Sequence, residues 1–254
     1  MSDRFFIIGN CKQAGRLAYF KSLLSEFSDL SDETMDAVDF VLMPPVPYLG
    51  LLARESGRLP IQWGVQMVSG RTDIARTGSY NAEMVVELGA RYACVGHSER
   101  RQYDGETPEI LSAQYQQSVA AGLTPVLCIG ETRSQRDAMD TLVVLEQQLS
   151  VVFSSQNFDK LPKHDIIVAY EPVWAIGAKA PASAEVVAPV FAWLHRYLNQ
   201  CFGHGQHYIC YGGSVNHETC RQFYEADHVS GLLIGRASLE LATLKGVIVE
   251  CSGC

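Results

Sequence analysis

Short apolar segments alternate along the chain with longer amphipathic ones. The apolar segments are bounded by Gly, Pro or a polar residue, and they lack the polar alternation of a sheet with one solvent-exposed face. Strands buried on both faces are typical of a parallel sheet. The pattern therefore predicts eight buried strands, at Phe5–Gly9, Phe40–Met43, Ile61–Gly64, Tyr92–Gly96, Thr124–Gly130, Ile166–Tyr170, Tyr208–Gly212 and Gly231–Gly235.

The amphipathic segments between these strands predict helices. In Thr107–Ala121, a threonine and a proline open the segment and a glycine follows it, which is typical of a helix with both ends marked. Apolar residues at helical spacing predict a second helix over Asp137–Val152. A third is expected over residues 183–202, with a kink at Pro189.

Eight strand–helix units in 254 residues match the size of a closed (β/α)8 barrel, an eight-stranded parallel sheet surrounded by helices. A doubly wound open sheet is the alternative, but no G-x-G-x-x-G follows the first strand and eight equal units favour closure. No linker or change in composition marks a second domain. We therefore expect one barrel domain over residues 1–254, with a short tail from about residue 247.

Composition and charge restrict the partners. With 47% hydrophobic residues, the chain can bury a sizeable core, and the net charge of −8 disfavours binding to nucleic acid or an anionic membrane. No apolar segment approaches the ~20 residues of a membrane helix, and no signal peptide is visible. We expect a cytoplasmic protein whose eight cysteines are reduced thiols. For the C-x-x-C pair Cys251 and Cys254, we expect neither a metal nor a redox role.

Three side chains at the ends of predicted strands could perform acid–base chemistry, because the active site of such a barrel lies where the strands end. Glu171 would be a base whose pKa burial raises, although a carboxylate there could equally form an ion pair or cap a helix. His97 would be a neutral hydrogen-bond donor at a helix start, or a buried core histidine. Lys12 would supply a cation, or be an ordinary surface lysine.

Two glycine-bearing turns, at residues 212–214 and 235–236, follow the last two predicted strands. Glycine lets backbone N–H groups approach an anion, and a phosphate site after strands seven and eight recurs in this fold. The segment Val173–Ser183 is rich in Ala, Gly and Pro and is long enough for a mobile lid. Alternatively, the two turns are tight turns that need glycine for their backbone conformation, and Val173–Ser183 is an ordinary loop.

Five motifs, in the same order and with similar spacing from residue 5 to about 240, resemble the triosephosphate isomerase family. They are Gly9-Asn10-x-Lys12, GHSERR at Gly96–Arg101, AYEPVWAIG at Ala169–Gly177, YGGSV at Tyr211–Val215 and LIGRAS at Leu233–Ser238. The resemblance implies a TIM barrel and an enzyme of glycolysis and gluconeogenesis that interconverts glyceraldehyde 3-phosphate and dihydroxyacetone phosphate. The pairing of a Glu base with a neutral His is a known property of this family, so it too is implied by the resemblance.

The resemblance implies a role for each matching residue. Glu171 would move the proton between two carbons, and His97 would polarise the carbonyl and shuttle a proton between the oxygens. Lys12 would offset the negative charge, with Asn10 beside it and Glu99 supporting the cluster. Cys128 would pack behind the base. Backbone N–H groups would hold the phosphate at Gly177, Ser214, Gly235 and Arg236, and the lid would include Val173, Trp174, Ala175, Ile176 and Ala178.

The resemblance also implies that the protein works as a homodimer on a small phosphorylated sugar, without a metal or organic cofactor. The loop Gln66–Tyr80 would reach into the second copy, with Thr77 near Lys12 of the partner subunit.

The chain departs from the family pattern at several positions. Cys11 stands where a large residue is usual, Met67 replaces Asn, Ser79 replaces Glu, and Arg236 replaces Gly. Ala178–Pro181 replaces Thr-Gly-Lys-Thr and would stiffen the far hinge of the lid. These changes affect the dimer contact, the lid and the phosphate site, but not the base, the histidine or the cation.

Three alternatives remain open. Pro181–Ser183 and Arg236 resemble a branch of the family that isomerises four-carbon ketose phosphates such as erythrulose phosphate. A barrel enzyme of another class, such as a phosphate-binding lyase or synthase, is the second alternative. A non-catalytic relative that only binds a phosphorylated ligand is the third.

Overall fold

Eight parallel strands form a closed barrel in a computed structural model that describes residues 5–28, 32–57, 59–73, 75–154, 158–203 and 207–253. The strands follow one another around the barrel in chain order, and β8 pairs with β1. This confirms the predicted fold class. The strands are β1 (Phe6–Asn10), β2 (Asp39–Met43), β3 (Gln62–Val65), β4 (Tyr92–Val95), β5 (Thr124–Ile129), β6 (Ile166–Tyr170), β7 (His207–Gly212) and β8 (Gly231–Ile234).

Each strand is buried on both faces, as its apolar composition predicts. In β1, Phe6 and Ile8 belong to the cluster that fills the barrel interior, whereas Ile7 belongs to the layer between the strands and the helices. The strand ends differ from the predicted ones by at most one residue. At β4, for example, the strand stops before Gly96, whose φ of +74° turns the chain out of the sheet.

Helices follow the strands and cover the outer face of the barrel. Within the described residues they are α1 (Leu17–Phe27), α2 (Asp32–Asp36), α3 (Val46–Glu55), α4 (Ala82–Glu87), α5 (Ser98–Tyr103), α6 (Pro108–Ala120), α7 (Arg133–Asp137), α8 (Thr141–Phe153), α9 (Ala184–Phe202), α10 (Arg221–Tyr224) and α11 (Leu241–Ser252). Short 3-10 helices occupy Phe158–Lys160, Val173–Ala175 and Arg236–Leu239.

Two of the three predicted helices are confirmed. Helix α6 begins after Thr107, whose side chain accepts a hydrogen bond from the backbone N–H of Ile110, and Pro108 occupies its first turn. Helix α9 begins after the similar cap Ser183 and contains Pro189 in its interior.

The predicted helix over Asp137–Val152 is confirmed from Thr141 onward as α8, but its start is wrong, because Asp137 ends α7 and the chain breaks between the two helices. Thr132 and Gln135 form a capping box that starts α7 early. The helix then ends before Met139, which has a φ of +62° and a side chain that is 91% exposed. The buried face of α8 therefore consists only of Leu145, Leu149 and Val152.

The C-terminal segment differs from the expected tail. Residues 247 to 252 complete α11, in which Val247, Ile248 and Cys251 are buried against the barrel. Cys254, the second residue of the C-x-x-C pair, lies outside the described residues. None of the helices in the described ranges is long and apolar enough to cross a membrane.

Candidate active site

A cavity of about 540 Å³ opens at the carboxyl ends of the strands. Lys12 reaches it from the end of β1, His97 from the end of β4 and Glu171 from the end of β6. Three side chains that lie far apart in the sequence therefore meet in one pocket. The other predicted site residues in its lining are Asn10, Ile176, Gly177, Ala178, Ser214, Gly235 and Arg236.

Glu171 is a buried carboxylate, only 5% exposed, directly after β6. Two glycines on neighbouring strands make room for it. A Cβ atom on Gly130 would lie 1.8 Å from the Glu171 carbonyl oxygen, and one on Gly212 would lie 2.7 Å from Glu171 Cγ. The backbone is also held by a 2.7 Å hydrogen bond from the Glu171 N–H to the Ile129 carbonyl. These backbone contacts therefore fix the position from which the Glu171 carboxylate extends.

His97 lies between Glu171 and the start of α5. Its Nε2 is 3.3 Å from Glu171 Oε1, and its Nδ1 accepts a 3.2 Å hydrogen bond from the backbone N–H of Glu99. An Nδ1 that accepts this hydrogen bond carries no proton, so the proton of the ring is on Nε2. This arrangement leaves Nε2 as the ring donor that faces Glu171 and the cavity. The predicted helix start at this position is confirmed.

The two groups shift each other's pKa. Burial lowers the pKa of His97, but the Glu171 carboxylate outweighs burial and raises it to about 9. Burial raises the pKa of Glu171, but His97, with help from the Cys128 thiol, outweighs burial and lowers it. The expectation of a raised Glu171 pKa is therefore wrong, because it considered burial without the facing histidine. A carboxylate with a lowered pKa is ionised at neutral pH and ready to accept a proton.

The shift of His97 depends on the charge of Glu171. When Glu171 takes up a proton, its carboxylate no longer stabilises a charged imidazole, so the largest contribution that raises the pKa of His97 is lost while burial still lowers it. The hydrogen bond from the Glu99 N–H to Nδ1 acts in the same direction. Protonation of Glu171 therefore favours the neutral form of His97.

Lys12 is held in place by three polar partners. Its Nζ donates a 2.6 Å hydrogen bond to Glu99 Oε1, and its backbone N–H donates to Asn10 Oδ1 at 2.9 Å. Gln66 Nε2 donates to the Lys12 carbonyl at 2.8 Å. Lys12 has a φ of +49°, which is uncommon for a residue other than glycine and requires such support. The predicted cluster of Asn10, Lys12 and Glu99 is present in the structure.

The two predicted turns border the same cavity. In the turn after β7, Gly213 has a φ of +148° and Ser214 a φ of +51°. In the turn after β8, Arg236 is exposed and begins a 3-10 helix, and a Cβ on Gly235 would lie 3.4 Å from Lys12 Cε. The cation and the second turn are therefore neighbours.

The predicted lid is attached at two points, one on β7 and one on the turn after it. Ser214 Oγ donates a 3.0 Å hydrogen bond to the Ala175 carbonyl, and the Ala182 N–H donates to Tyr211 Oη at 3.0 Å. Ile176, Gly177 and Ala178 line the cavity between these points. Val173 and Ala175 belong to a 3-10 helix outside it.

Sequence reasoning missed a cluster that holds the lid residue Trp174. The indole Nε1 donates a 2.9 Å hydrogen bond to Glu131, a fully buried carboxylate that also accepts from Tyr170 Oη. Arg136 pairs with Glu131 at 3.1 Å, and the guanidinium groups of Arg133 and Arg136 lie 4.5 and 4.8 Å from the indole centroid. The only sequence signal was the position of Glu131 after the fifth strand.

Thr77, predicted to contact a second copy, is exposed in the loop between β3 and α4. The other residue predicted for that contact, Gln66, holds the backbone of Lys12 within the same chain. In the described part of the chain, no group of three or more His, Cys, Asp or Glu side chains is placed to hold a metal ion.

Comparisons with known proteins agree with this geometry. A sequence model of the family described as triosephosphate isomerase matches residues 5–251. The triosephosphate isomerase of Stenotrophomonas maltophilia (strain R551-3) is 38% identical over 94% of each chain, and that of Rhodopirellula baltica is 36% identical over 98% of each. The crystal structure of the Bartonella henselae triosephosphate isomerase superposes with a TM-score of 0.82 at 29% identity, covering 98% of both chains. The chain therefore belongs to the triosephosphate isomerase family.

Proposed function

We propose that this protein is a triosephosphate isomerase, an enzyme that interconverts D-glyceraldehyde 3-phosphate and dihydroxyacetone phosphate by proton transfer through an enediolate. The observation that carries the proposal is the meeting of a carboxylate, an imidazole and an amine in one cavity, beside two turns that can hold a phosphate. Such a cavity suits a small phosphorylated sugar, and full-length relatives bear the name of this enzyme.

Glu171 is the base in this proposal. Its carboxylate takes the proton from the carbon beside the substrate carbonyl and returns it to the neighbouring carbon. Glu171 lines the cavity, and its Oε2 is buried and has no hydrogen-bond partner among the described residues. The close fit against Gly130 and Gly212 keeps this oxygen in one position, which general-base catalysis requires.

His97 polarises the substrate carbonyl and moves a proton between the two oxygens. The Nε2–H that faces Glu171 is the donor that would turn to the substrate oxygen. When Nε2 gives its proton to one substrate oxygen, it can take a proton from the other oxygen, so the ring returns to its starting state within one cycle. The bond from the Glu99 N–H keeps Nδ1 out of this exchange.

Lys12 offsets the charge of the enediolate and of the phosphate. Because Asn10 and Glu99 fix its backbone and its ammonium, the cation is in place before the charge develops. The N–H groups of Gly177, Ser214, Gly235 and Arg236 would hold the phosphate oxygens. Closure of the segment 173–182 over the cavity would keep water from the enediolate. Proton transfer of this kind requires no metal or organic cofactor.

We further propose a cytoplasmic homodimer of a single-domain subunit. The loop Gln66–Tyr80 would contact the second copy and bring Thr77 near Lys12 of the partner subunit. The hydrogen bond from Gln66 to the Lys12 carbonyl supports this proposal, because it connects the base of the loop to the cation.

A four-carbon ketose phosphate is the second candidate substrate, and the exposed side chain of Arg236 at the rim of the cavity favours it. A guanidinium there could contact a longer substrate or its phosphate. A lyase or synthase, or a purely binding relative, has less support. Binding alone does not need a buried base aligned with an imidazole.

A coupled assay tests the proposal with glyceraldehyde 3-phosphate and dihydroxyacetone phosphate, each compared with erythrulose phosphate. We expect turnover of both triose phosphates by the wild type and its loss in Glu171→Gln, which retains the shape of the base but not its charge. Inorganic phosphate should still bind to that variant. Faster turnover of the four-carbon substrate would favour the second candidate, and an inactive wild type with all three would contradict the isomerase proposal.

A further inference from the structure

The turn after β8 is built around one carbonyl group. The Gly235 carbonyl accepts hydrogen bonds from both the backbone N–H and the Oγ of Ser238, at 2.9 and 2.7 Å. Ser238 is fully buried. In a trans peptide the C=O and the N–H point in opposite directions. A Gly235 carbonyl directed at Ser238 therefore turns the N–H of Arg236 the other way, out of the start of the 3-10 helix.

Tyr19 connects this turn to helix α1. Its phenol donates a 2.6 Å hydrogen bond to the carbonyl of Ser238, although the two residues are 219 positions apart in the chain. Burial raises the pKa of Tyr19, so the phenol keeps its proton at neutral pH and remains a donor. Its ring also packs edge-on against Phe20, with 5.3 Å between the centroids. The hydroxyl and the ring of Tyr19 thus contact different residues, so the hydroxyl can be removed while the ring contact is kept.

The same N-terminal segment carries the cation. Lys12 lies between β1 and α1, and its Cε is 3.4 Å from the position that a Cβ on Gly235 would take. Gly9, at the end of β1, lets Ser238 pack directly on the strand, because a Cβ there would be 3.1 Å from Ser238 Cβ. The turn after β8 therefore packs on the segment from Gly9 to Tyr19, which includes Lys12.

We propose that Tyr19 is a positioning residue for the substrate phosphate. Through Ser238 it fixes the peptide between Gly235 and Arg236 at a set distance from Lys12, so that the two groups bind the same phosphate together. Tyr19 acts through Ser238 and not through contact with the substrate. The inference rests on the proposed function only in assigning a phosphate to this turn.

The test uses Tyr19→Phe, which removes the hydroxyl and keeps the ring. Tyr48→Phe is the matched control, because the ring of Tyr48 packs on the same residue, Phe20, with 5.5 Å between the ring centroids. Inorganic phosphate is titrated into each protein by calorimetry. From the typical net value of one hydrogen bond, we expect phosphate affinity to fall about fivefold in Tyr19→Phe and to stay unchanged in the control.

Kinetics separate positioning of the phosphate site from a general structural role. In Tyr19→Phe, the KM for dihydroxyacetone phosphate should rise by about the same factor while kcat changes less. Proton exchange on glyceraldehyde, which has no phosphate, should be unaffected. Ser238→Ala, which removes the bond from Oγ to the Gly235 carbonyl, should shift the same quantities in the same direction.

Equal phosphate affinity in Tyr19→Phe and the wild type would overturn the inference. A matching loss of activity on glyceraldehyde would also overturn it, because it would show a general disturbance of the barrel. The titration needs no turnover. If the wild type fails to isomerise the triose phosphates but Tyr19→Phe still weakens phosphate binding, the proposed function is wrong and the role of Tyr19 stands.

Discussion

Shortening the base by one methylene group tests how precisely the barrel positions it. In Glu171→Asp, the carboxylate retreats by about 1.5 Å towards the backbone and loses its 3.3 Å contact with His97. The backbone cannot follow, because the Glu171 carbonyl already occupies the space beside Gly130 and the N–H is bonded to Ile129. A misplacement of about 1 Å costs on the order of 100-fold in rate, which corresponds to about 2.7 kcal/mol in the barrier.

The assay measures kcat and KM in both directions, together with the affinity for inorganic phosphate. We expect kcat to fall about 100-fold and the phosphate affinity to change less than twofold, because the two turns proposed to hold the phosphate follow β7 and β8, whereas Glu171 follows β6. Glu185→Asp, an exposed position in the first turn of α9, is the matched control and should behave like the wild type. Equal losses in kcat and in phosphate binding would refute the assigned role of Glu171.

Three further substitutions test other parts of the site. In His97→Gln, the partner that lowers the pKa of Glu171 is gone, so burial raises that pKa and the acidic limb of the kcat/KM profile moves to higher pH. An acidic limb at the wild-type pH would show that His97 does not set the pKa of Glu171. In Trp174→Phe, buried Glu131 loses a hydrogen-bond donor, and urea denaturation should show a free energy of unfolding about 1 kcal/mol lower. An unchanged urea midpoint would exclude that loss. In Arg236→Gly, competitive inhibition by phosphate should weaken a few-fold, and no change would place that exposed side chain outside the phosphate site.

The barrel and the position of the site could be predicted from the sequence because both depend on periodic burial. A parallel barrel buries both faces of each strand, so every strand stands out as an apolar segment, and the residue after it lies at the rim. This is why Lys12, His97 and Glu171 could be selected from the sequence alone. The resemblance to a known family added the roles of these residues.

Other features depend on contacts between distant segments and could not be predicted in this way. The need for glycine at Gly130 and Gly212 arises only when β5 and β7 flank the end of β6. The bond between Trp174 and Glu131 spans 43 positions, and its partners have no shared sequence motif. The lowered pKa of Glu171 follows from a histidine on another strand.

The break between α7 and α8 has a different cause. The apolar residues from Met139 to Val143 satisfy a helical pattern, but Met139 has a φ of +62°, which interrupts the helix, and Leu142 and Val143 lie on the exposed side of α8. Hydrophobic periodicity therefore locates α8 but not the break that precedes it.

The central claim is that a proton leaves one carbon of a phosphorylated triose for Glu171 and returns to the neighbouring carbon. Isomerisation of dihydroxyacetone phosphate in D₂O, followed by NMR, tests it most directly. We expect deuterium on the carbon next to the carbonyl in the product, because a proton on a carboxylate exchanges with solvent, and we expect no incorporation by Glu171→Gln. A complete absence of deuterium from the product, which a direct hydride shift between the two carbons would give, or incorporation that persists in the variant, would contradict the claim.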